Sequence, residues 1–190
     1  MGKDAERMSE DRNLKERRLS REDRFTGRIL TVHVDTVELP NGGTALREVA
    51  DHPGGVAVLA LDGENNVLTV TQYRYPFGRT LLEIPAGKLD GPGEDPYEAG
   101  LRELREETGA VPGRYESLGR ILPSPGCYGE ILHLYLARDL RMEEQQLDED
   151  EFLNVERVPF EEMVRRCLSG EIEDAKTVAA VLKAKILLNL

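Results

Sequence analysis

The sequence predicts a fold of mixed strands and helices, an α/β or α+β sandwich. Short runs rich in β-branched residues recur between turn residues, and three longer segments carry apolar residues at helical spacing. The 190 residues suffice to bury a core, and we find no internal repeat. Strands interrupted by a few helices are typical of sandwiches in which helices pack on a sheet.

The predicted strands begin at Ile29. Two β-branched stretches, 29–34 and 36–39, run into a Pro-Asn-Gly-Gly turn at 40–43, and residues 45–49 follow it. Asn-Gly between such runs indicates a hairpin. A second pair of strands flanks the turn residues 62–66. These two strands and those predicted after them cover 55–61, 67–73, 81–84, 117–122, 131–137 and 152–155.

Three helices are predicted among these strands. The first begins at Asp95, which can cap it, with Pro96 in its first turn, and it ends at Gly109, a residue suited to the left-handed position after a helix. The other two cover residues 160–168 and 175–188. Residues 1–24 are nearly all polar, and we expect a solvated or fraying helix there, followed by a single domain over residues 25–190.

Charge and composition exclude several classes of function. Asp and Glu number 36 against 25 Lys and Arg, and the net charge of −11 argues against a general nucleic-acid binder, which needs a basic face. No apolar run approaches the ~20 residues that span a membrane, and no signal peptide is recognisable, so we expect a cytoplasmic protein without a membrane partner. The two cysteines and three histidines show neither a disulfide nor a zinc-site pattern. An acidic protein that handles phosphates needs local arginines or a bound metal.

The first predicted helix carries an acidic cluster. Glu103, Glu106 and Glu107 stand at i, i+3 and i+4, so they share one face. Like charges at this spacing destabilise a helix by roughly 0.2–0.5 kcal/mol per pair. A hard divalent cation would convert that repulsion into coordination. A Glu-rich helix by itself is usually a solvated face, but the Gly-rich loop that precedes this one at 86–94 favours the metal-binding interpretation.

This loop and helix resemble the signature of the Nudix hydrolase family. That signature is Gly, five residues, Glu, seven residues, then Arg-Glu-aliphatic-x-Glu-Glu-x-Gly-aliphatic. The chain has Gly87, Glu94 and then Arg-Glu-Leu-Arg-Glu-Glu-Thr-Gly-Ala at 102–110. The spacing from Glu94 to Arg102 matches. Six residues rather than five separate Gly87 from Glu94, and Ala110 is small for the last position; the extra residue lies in the loop.

The resemblance, which extends from about Gly27 to the C-terminus, implies a fold and a metal site. The fold would be a Nudix α/β/α sandwich around a mixed sheet, with an N-terminal β-stranded extension. Its metal would be Mg²⁺, with Mn²⁺ as a substitute. Glu103 and Glu107 would be the principal ligands, with Glu106 and the carbonyl of Ala86 beside them. Arg102 would orient the carboxylates, and Glu94 would brace the loop.

Other segments resemble the ADP-ribose pyrophosphatase subgroup of that family. Pro125 lies sixteen residues after Gly109, in a loop that also contains Gly126, and Glu130 in the same loop matches a further metal-associated glutamate. The acidic stretch 147–152 resembles a loop that carries a catalytic glutamate. By this resemblance Glu149 is the general base, with Glu151 as the alternative base or an added metal ligand; the alternative for the whole stretch is an exposed acidic turn.

Substrate and partner predictions also follow from the resemblance. Arg47 and Arg74 match arginines near the ligand, and arginine suits bidentate binding of phosphate. Glu83 would bind a ribose hydroxyl or brace its neighbours. Enzymes of this subgroup commonly form homodimers, which places the strands of residues 25–52 at a dimer interface.

The predicted reaction is Mg²⁺-dependent hydrolysis of ADP-ribose to AMP and ribose 5-phosphate. Two alternatives remain at this stage. One is a hydrolase of another nucleoside diphosphate sugar, because the same catalytic groups serve many leaving groups. The other is a non-catalytic Nudix module that senses ADP-ribose, which the complete carboxylate set disfavours.

Overall fold

The protein is described by a computed structural model, in which residues 14–91, 93–147 and 151–189 are placed. The chain divides into two compact units, where we expected a single domain over residues 25–190. One unit contains the described residues up to His52 together with Ser124–Glu130. The other contains Pro53–Pro123 and the chain from Ile131 onward. The division arises because the N-terminal strands pair with one another in a sheet of their own.

The first unit is built on a three-stranded antiparallel sheet in the order β1-β2-β3. Its strands are β1 (Arg17–Thr26), β2 (Thr31–Glu38) and β3 (Thr44–Asp51), and the predicted hairpin between β2 and β3 is confirmed. The expectation of a fraying helix through residue 24 is wrong for its last eight residues. The polar β1 is held by backbone pairing with β2 and by cross-strand ion pairs such as Arg17–Glu38 and Arg21–Asp35, contacts that local composition does not reveal.

The second unit contains a seven-stranded mixed sheet. The central path runs β10-β5-β4-β9-β8, with β6 paired to β5 and β7 paired to β4. The pairing of β4 with β9 is parallel and the other pairings are antiparallel. The strands are β4 (Gly55–Leu61), β5 (Asn66–Arg74), β6 (Arg79–Glu83), β7 (Ala86–Lys88), β8 (Ala110–Ile121), β9 (Leu132–Met142) and β10 (Leu153–Pro159).

Three helices pack against this sheet: α1 (Pro96–Thr108), α2 (Phe160–Ser169) and α3 (Ala175–Leu188). The predicted caps of α1 are confirmed, since the Asp95 side chain accepts from the Tyr97 amide and Gly109 has a φ of 72°. Within the described residues, no helix is long and apolar enough to cross a bilayer.

Strand β4 divides the core into two layers, because all seven of its residues are buried and alternate side chains point to opposite faces of the sheet. Leu59 and its alternate neighbours pack with α2 and α3, whereas Val58 and its neighbours pack with Ala99 and Leu104 of α1. The result is the predicted α/β/α sandwich around a mixed sheet; within the described residues, α1 packs on one face and α2 and α3 pack on the other. The face with α1 carries the acidic cluster.

Candidate active site

Helix α1 places its glutamates at the edge of the core. Leu104 is completely buried under the sheet, and Glu103 and Glu107 flank it at 7% and 2% exposure. Glu106, one turn after Arg102, is half-buried. The i, i+3, i+4 spacing predicted a shared face, and the structure adds that two of these three carboxylates are withdrawn from solvent.

Gly87 forms a cradle for one of these carboxylates. A Cβ atom at this position would lie 1.9 Å from Cδ of Glu103 and 2.0 Å from its Oε1, so no side chain fits there. Gly87 belongs to β7, which pairs with β4. The first glycine of the signature therefore brings bare backbone against the Glu103 carboxylate.

Arg102 ties the loop to the helix. Its Nη1 donates to Glu103 Oε1 at 2.9 Å and to Glu106 Oε2 at 3.1 Å, and its Nη2 donates to Glu94 Oε1 at 3.3 Å. The other oxygen of Glu94 accepts from the Asp90 amide at 2.6 Å. Arg102 and Glu94 thus make the contacts expected of an orienting arginine and a loop brace, and the extra loop residue does not break them.

Glu107 is the most enclosed member of the cluster. Its Oε2 accepts from the Ala86 amide at 2.9 Å. Burial raises the pKa of Glu107 to about 8, and the charges of Glu103 and Glu151 contribute to this rise. Burial likewise raises the pKa of Glu103 to about 7, against the opposing effect of Arg102. Burial therefore favours the protonated form of both carboxylates, even though Arg102 pairs with Glu103.

This donor set fits a hard divalent cation. Among the residues placed in the structure, no three His, Cys, Asp or Glu side chains already stand in a complete metal-binding arrangement. Arg102 holds Glu103 and Glu106, and the Ala86 amide holds Glu107. Carboxylate oxygens on one helical face, beside a position where no side chain fits, are nevertheless ligands of the kind that a hard divalent cation prefers.

The segment after β9 fastens the C-terminal end of α1. The amides of Glu143 and Gln146 donate to the carbonyls of Gly109 at 2.7 Å and Glu106 at 3.0 Å, and the Gln145 side chain donates to the carbonyl of Glu107. These contacts satisfy carbonyls that a helix end leaves without partners. The same segment leads toward the predicted acidic loop.

Of the two candidates for the general base, one can be located. Glu151 lies close enough to Glu103 and Glu107 to raise the pKa of each, and it lines a cavity of about 300 Å³ with Leu147 and residues 152–154. Glu149 lies outside the described residues. The structure therefore brings Glu151 to the cluster and leaves the choice between the two open.

Glu83 and Arg74 form a buried ion pair next to this region. Arg74 donates to both oxygens of Glu83, from Nε at 2.7 Å and from Nη2 at 2.6 Å. Glu83 is 1% exposed and also accepts from Lys176. Of the two roles predicted for Glu83, the brace agrees with this burial. Lys176 was not predicted, because residues 170–177 resemble the subgroup only as a segment that leads into the last helix, with no chemical role.

The remaining predicted residues belong to the first unit. Arg47 pairs with Glu16, donating from Nε at 2.9 Å, and its side chain is 41% exposed. Pro125 and Gly126 occupy an exposed turn whose next residue, Cys127, accepts from the Ala50 amide. Glu130 lies 3.5 Å from Nδ1 of His52. These positions make Arg47 and Glu130 charged groups with partners inside their own unit.

Comparison with known protein families agrees with this arrangement. The NUDIX domain model matches residues 51–181, and the model of the nucleoside diphosphate sugar hydrolase N-terminal domain matches residues 16–50. The boundary between the two models falls close to the end of the three-stranded sheet.

Two relatives align with most of this chain and with most of their own length. An ADP-ribose pyrophosphatase of Bacillus subtilis is 42% identical over 90% of this chain and 92% of its own length. A methanol dehydrogenase activator of Bacillus methanolicus is 45% identical over 87% of this chain and 90% of its own.

A solved structure, described as the crystal structure of an ADP compounds hydrolase, aligns with a TM-score of 0.80 and 26% identity, covering 92% of this chain and 95% of that one. The sequence resemblance is thereby confirmed, as is the predicted hydrolase class. The chain belongs to the Nudix hydrolase family, with a nucleoside diphosphate sugar hydrolase N-terminal domain ahead of its Nudix domain.

Proposed function

We propose that the protein hydrolyses the diphosphate of ADP-ribose to AMP and ribose 5-phosphate, with Mg²⁺ as the required ion and Mn²⁺ as a substitute. The single observation that carries this proposal is the pair of buried carboxylates, Glu103 and Glu107, held beside the bare backbone of Gly87. The 42% identity to an ADP-ribose pyrophosphatase over nearly the whole chain supports the choice of substrate.

Glu103 and Glu107 would hold the metal, with Glu106 and the carbonyl of Ala86 completing the ligands from α1 and β7. When bound, the ion supplies charge neutralisation for the diphosphate and Lewis acidity at phosphorus. Arg102 keeps Glu103 and Glu106 oriented through its hydrogen bonds at 2.9 and 3.1 Å. Glu130 remains a proposed further ligand, by the resemblance alone.

Arg74 would bind the diphosphate, and Arg47 with the Pro125–Gly126 turn would contact the rest of the substrate. Arg74 suits this role because its Nε and Nη2 are fixed on Glu83 while its side chain stays 34% exposed. A guanidinium held in place by one carboxylate is preorganised for a second anion.

A carboxylate would accept the proton of the attacking water. Glu151 is the candidate that the structure brings within electrostatic range of Glu103 and Glu107. Glu149 remains the alternative. Separate Glu149→Gln and Glu151→Gln variants distinguish them, because removing the base should cost about 10²–10⁴-fold in rate whereas removing a bystander should cost little.

A second candidate function is hydrolysis of another nucleoside diphosphate sugar. The match of residues 16–50 to the N-terminal domain of nucleoside diphosphate sugar hydrolases favours this broader class. The same carboxylates and Arg74 would act on it, because they address the diphosphate and not the sugar.

We also propose a homodimer in which residues 25–52 lie at the interface. All ten residues of β1 are exposed in the single chain, including Leu19 and Phe25, and Leu46 of β3 is exposed as well. An extended strand with uncovered apolar side chains is a favourable surface for association.

The test of the proposed function is incubation of the purified protein with ADP-ribose and Mg²⁺, followed by identification of the products. We expect equal amounts of AMP and ribose 5-phosphate, and no product in the presence of a chelator. A panel of other nucleoside diphosphate sugars runs alongside. Turnover of a panel member without turnover of ADP-ribose would contradict the substrate assignment in favour of the second candidate.

A further inference from the structure

Lys176 is a buried lysine outside the carboxylate cluster. It is the second residue of α3 and is 8% exposed. Its Nζ donates to Glu83 Oε2 and, at 2.9 Å, to Asp174 Oδ1. A buried ammonium group is costly unless it is paired, so these two carboxylates account for its presence. Lys176 is thus a second cation on Glu83, which Arg74 already binds.

Glu83 is a single buried anion shared by two cations. Arg74 takes both of its oxygens at 2.7 and 2.6 Å, and Lys176 donates to Oε2. Burial alone would raise the pKa of Glu83, but the hydrogen bonds and charges of Arg74 and Lys176 outweigh it and lower the pKa. Glu83 therefore remains an anion that two cations share, while Lys176 also pairs with Asp174.

The lysine is also held rigidly relative to the end of β6. Asp174, its other partner, caps α3 by accepting from the Thr177 amide at 3.0 Å and from the Thr177 hydroxyl at 2.5 Å. That hydroxyl in turn accepts from the amide of Ile84, the residue after Glu83, at 3.0 Å. The N-terminal end of the helix dipole offsets part of the charge of Asp174.

We propose that Lys176 is a positioning residue that leaves the charge of Arg74 available to the diphosphate of the substrate. With Arg74 as its only partner, Glu83 would cancel the guanidinium charge and compete with an anionic substrate for it. Lys176 takes up part of the charge of Glu83, so Glu83 offsets less of the charge of the partly exposed Arg74. This inference rests on the proposed function, in which Arg74 contacts the diphosphate.

The first test compares two substitutions at one position. Lys176→Met removes the charge and keeps the length, and Lys176→Arg keeps the charge. We expect Lys176→Met to raise KM for ADP-ribose by about tenfold or more, the loss typical of one charge-assisted hydrogen bond, with a smaller change in kcat. Lys176→Arg should restore KM to within a few-fold of wild type. Lys185→Met is the matched control, because Lys185 lies on the same helix and pairs with the exposed Glu161.

The second test asks whether Lys176 acts through Arg74. In an Arg74→Gln background, Lys176→Met should raise KM by less than threefold, because the group that it positions is gone. An equal rise in KM in both backgrounds, or a Lys176→Met variant with the KM of wild type, would overturn the proposal. Should Lys176→Met fail to fold, as judged by thermal unfolding, Lys176→Gln carries the same comparison.

The activity of wild type distinguishes a failure of the proposed function from a failure of the proposed role of Lys176. If wild type hydrolyses another nucleoside diphosphate sugar in place of ADP-ribose, the substrate assignment fails. The comparison of Lys176→Met in the wild-type and Arg74→Gln backgrounds is then made with that sugar, since the diphosphate is common to both. If wild type hydrolyses a substrate and Lys176→Met raises KM equally in both backgrounds, only the proposed role of Lys176 fails. Wild type without activity on any nucleoside diphosphate sugar contradicts the proposed function and, with it, this inference.

Discussion

A methyl group added at Gly87 would overlap the carboxylate of Glu103. The Glu103 carboxylate lies where the Cβ of any other residue at position 87 would be, within 1.9 to 2.3 Å of it. The carboxylate is 7% exposed and also held by Arg102, so it cannot move aside without losing that hydrogen bond. The position of the Glu103 carboxylate in the proposed metal site therefore depends on the absence of one carbon atom at position 87.

Gly87→Ala tests this close contact. We expect a loss of activity of about 100-fold, the order expected for a misplacement of roughly 1 Å, while the chain still folds. Gly91→Ala is the matched control, because a Cβ at Gly91 meets nothing within 4 Å and the residue belongs to the same loop. Steady-state rates with ADP-ribose measure both variants. Equal activity of the two would show that the Glu103 carboxylate does not depend on the cradle.

The two buried glutamates should also govern stability in the absence of metal. The pKa of Glu107 rises from 4.5 to about 8 on folding, so the folded chain favours its protonated form. Protonation of Glu107 stabilises the fold fully below a pH of about 4.5. This contribution to the free energy of unfolding is lost as the pH rises through about 8. In chelator, the melting temperature of wild type should therefore fall over this range relative to that of Glu107→Gln. Parallel curves for the two proteins would contradict the burial argument.

At the scale of elements, α1 depends on how its C-terminal end is held. Gly109 adopts a φ of +72°, and a Cβ there would lie 2.4 Å from the carbonyl oxygen of Glu143. The strand β9 and the segment after it thus approach the helix end at a distance that requires glycine. This contact orients the last turn of α1, which carries Glu106 and Glu107.

Gly109→Ala and Gly170→Ala form a matched pair of helix-end substitutions. Both glycines have positive φ, of 72° and 78°, but a Cβ at Gly170 meets nothing. Gly170→Ala should cost only the left-handed backbone penalty, about 1–2 kcal/mol. Gly109→Ala should cost clearly more, as measured by denaturant unfolding. Equal costs would mean that the segment after β9 yields without penalty.

Elements with strong local signals could be predicted from the sequence. Helix α1 is one, because Asp95 and Gly109 mark both of its ends. Strand β8 begins at Ala110, seven residues before its predicted start, because its pairing with β9 already includes Ala110, Pro112 and Arg114. Strand β7 has three residues and depends on pairing with β4. Such starts are set by a distant partner strand and leave no local pattern.

The site residues also divide into those that the sequence predicts and those that it does not. The signature made Glu103, Glu106, Glu107 and Arg102 predictable, because their spacing on one helix is a local property. The pairing of Lys176 with Glu83 joins residues 93 positions apart. It could not be read from the chain, since a lysine after a helix cap is usually exposed. Glu149 remains a prediction.

At the scale of the whole molecule, the three-stranded sheet has little core of its own. Among the described residues of its strands, Val37, His33 and Asp35 are the buried side chains. A sheet with so small a core gains stability from a further partner surface. The proposed dimer would supply such a surface.

Light scattering of the purified protein tests this proposal. A dimer should have twice the 21.3 kDa mass of one chain. Phe25→Asp, which replaces an exposed apolar side chain of β1 by a charge, should shift the mass toward one chain, whereas Ile186→Asp at an exposed position of α3 should not. A mass of 21.3 kDa for wild type would contradict the dimer.

Binding of Mg²⁺ measured by titration calorimetry tests the carboxylate cluster most directly. The proteins are wild type, Glu107→Gln and Glu98→Gln, the last an exposed acidic residue in the first turn of the same helix. We expect binding to wild type and Glu98→Gln with similar affinity, and a loss of at least tenfold in Glu107→Gln, the loss of one principal ligand. Unchanged affinity of Glu107→Gln for Mg²⁺ would contradict the account.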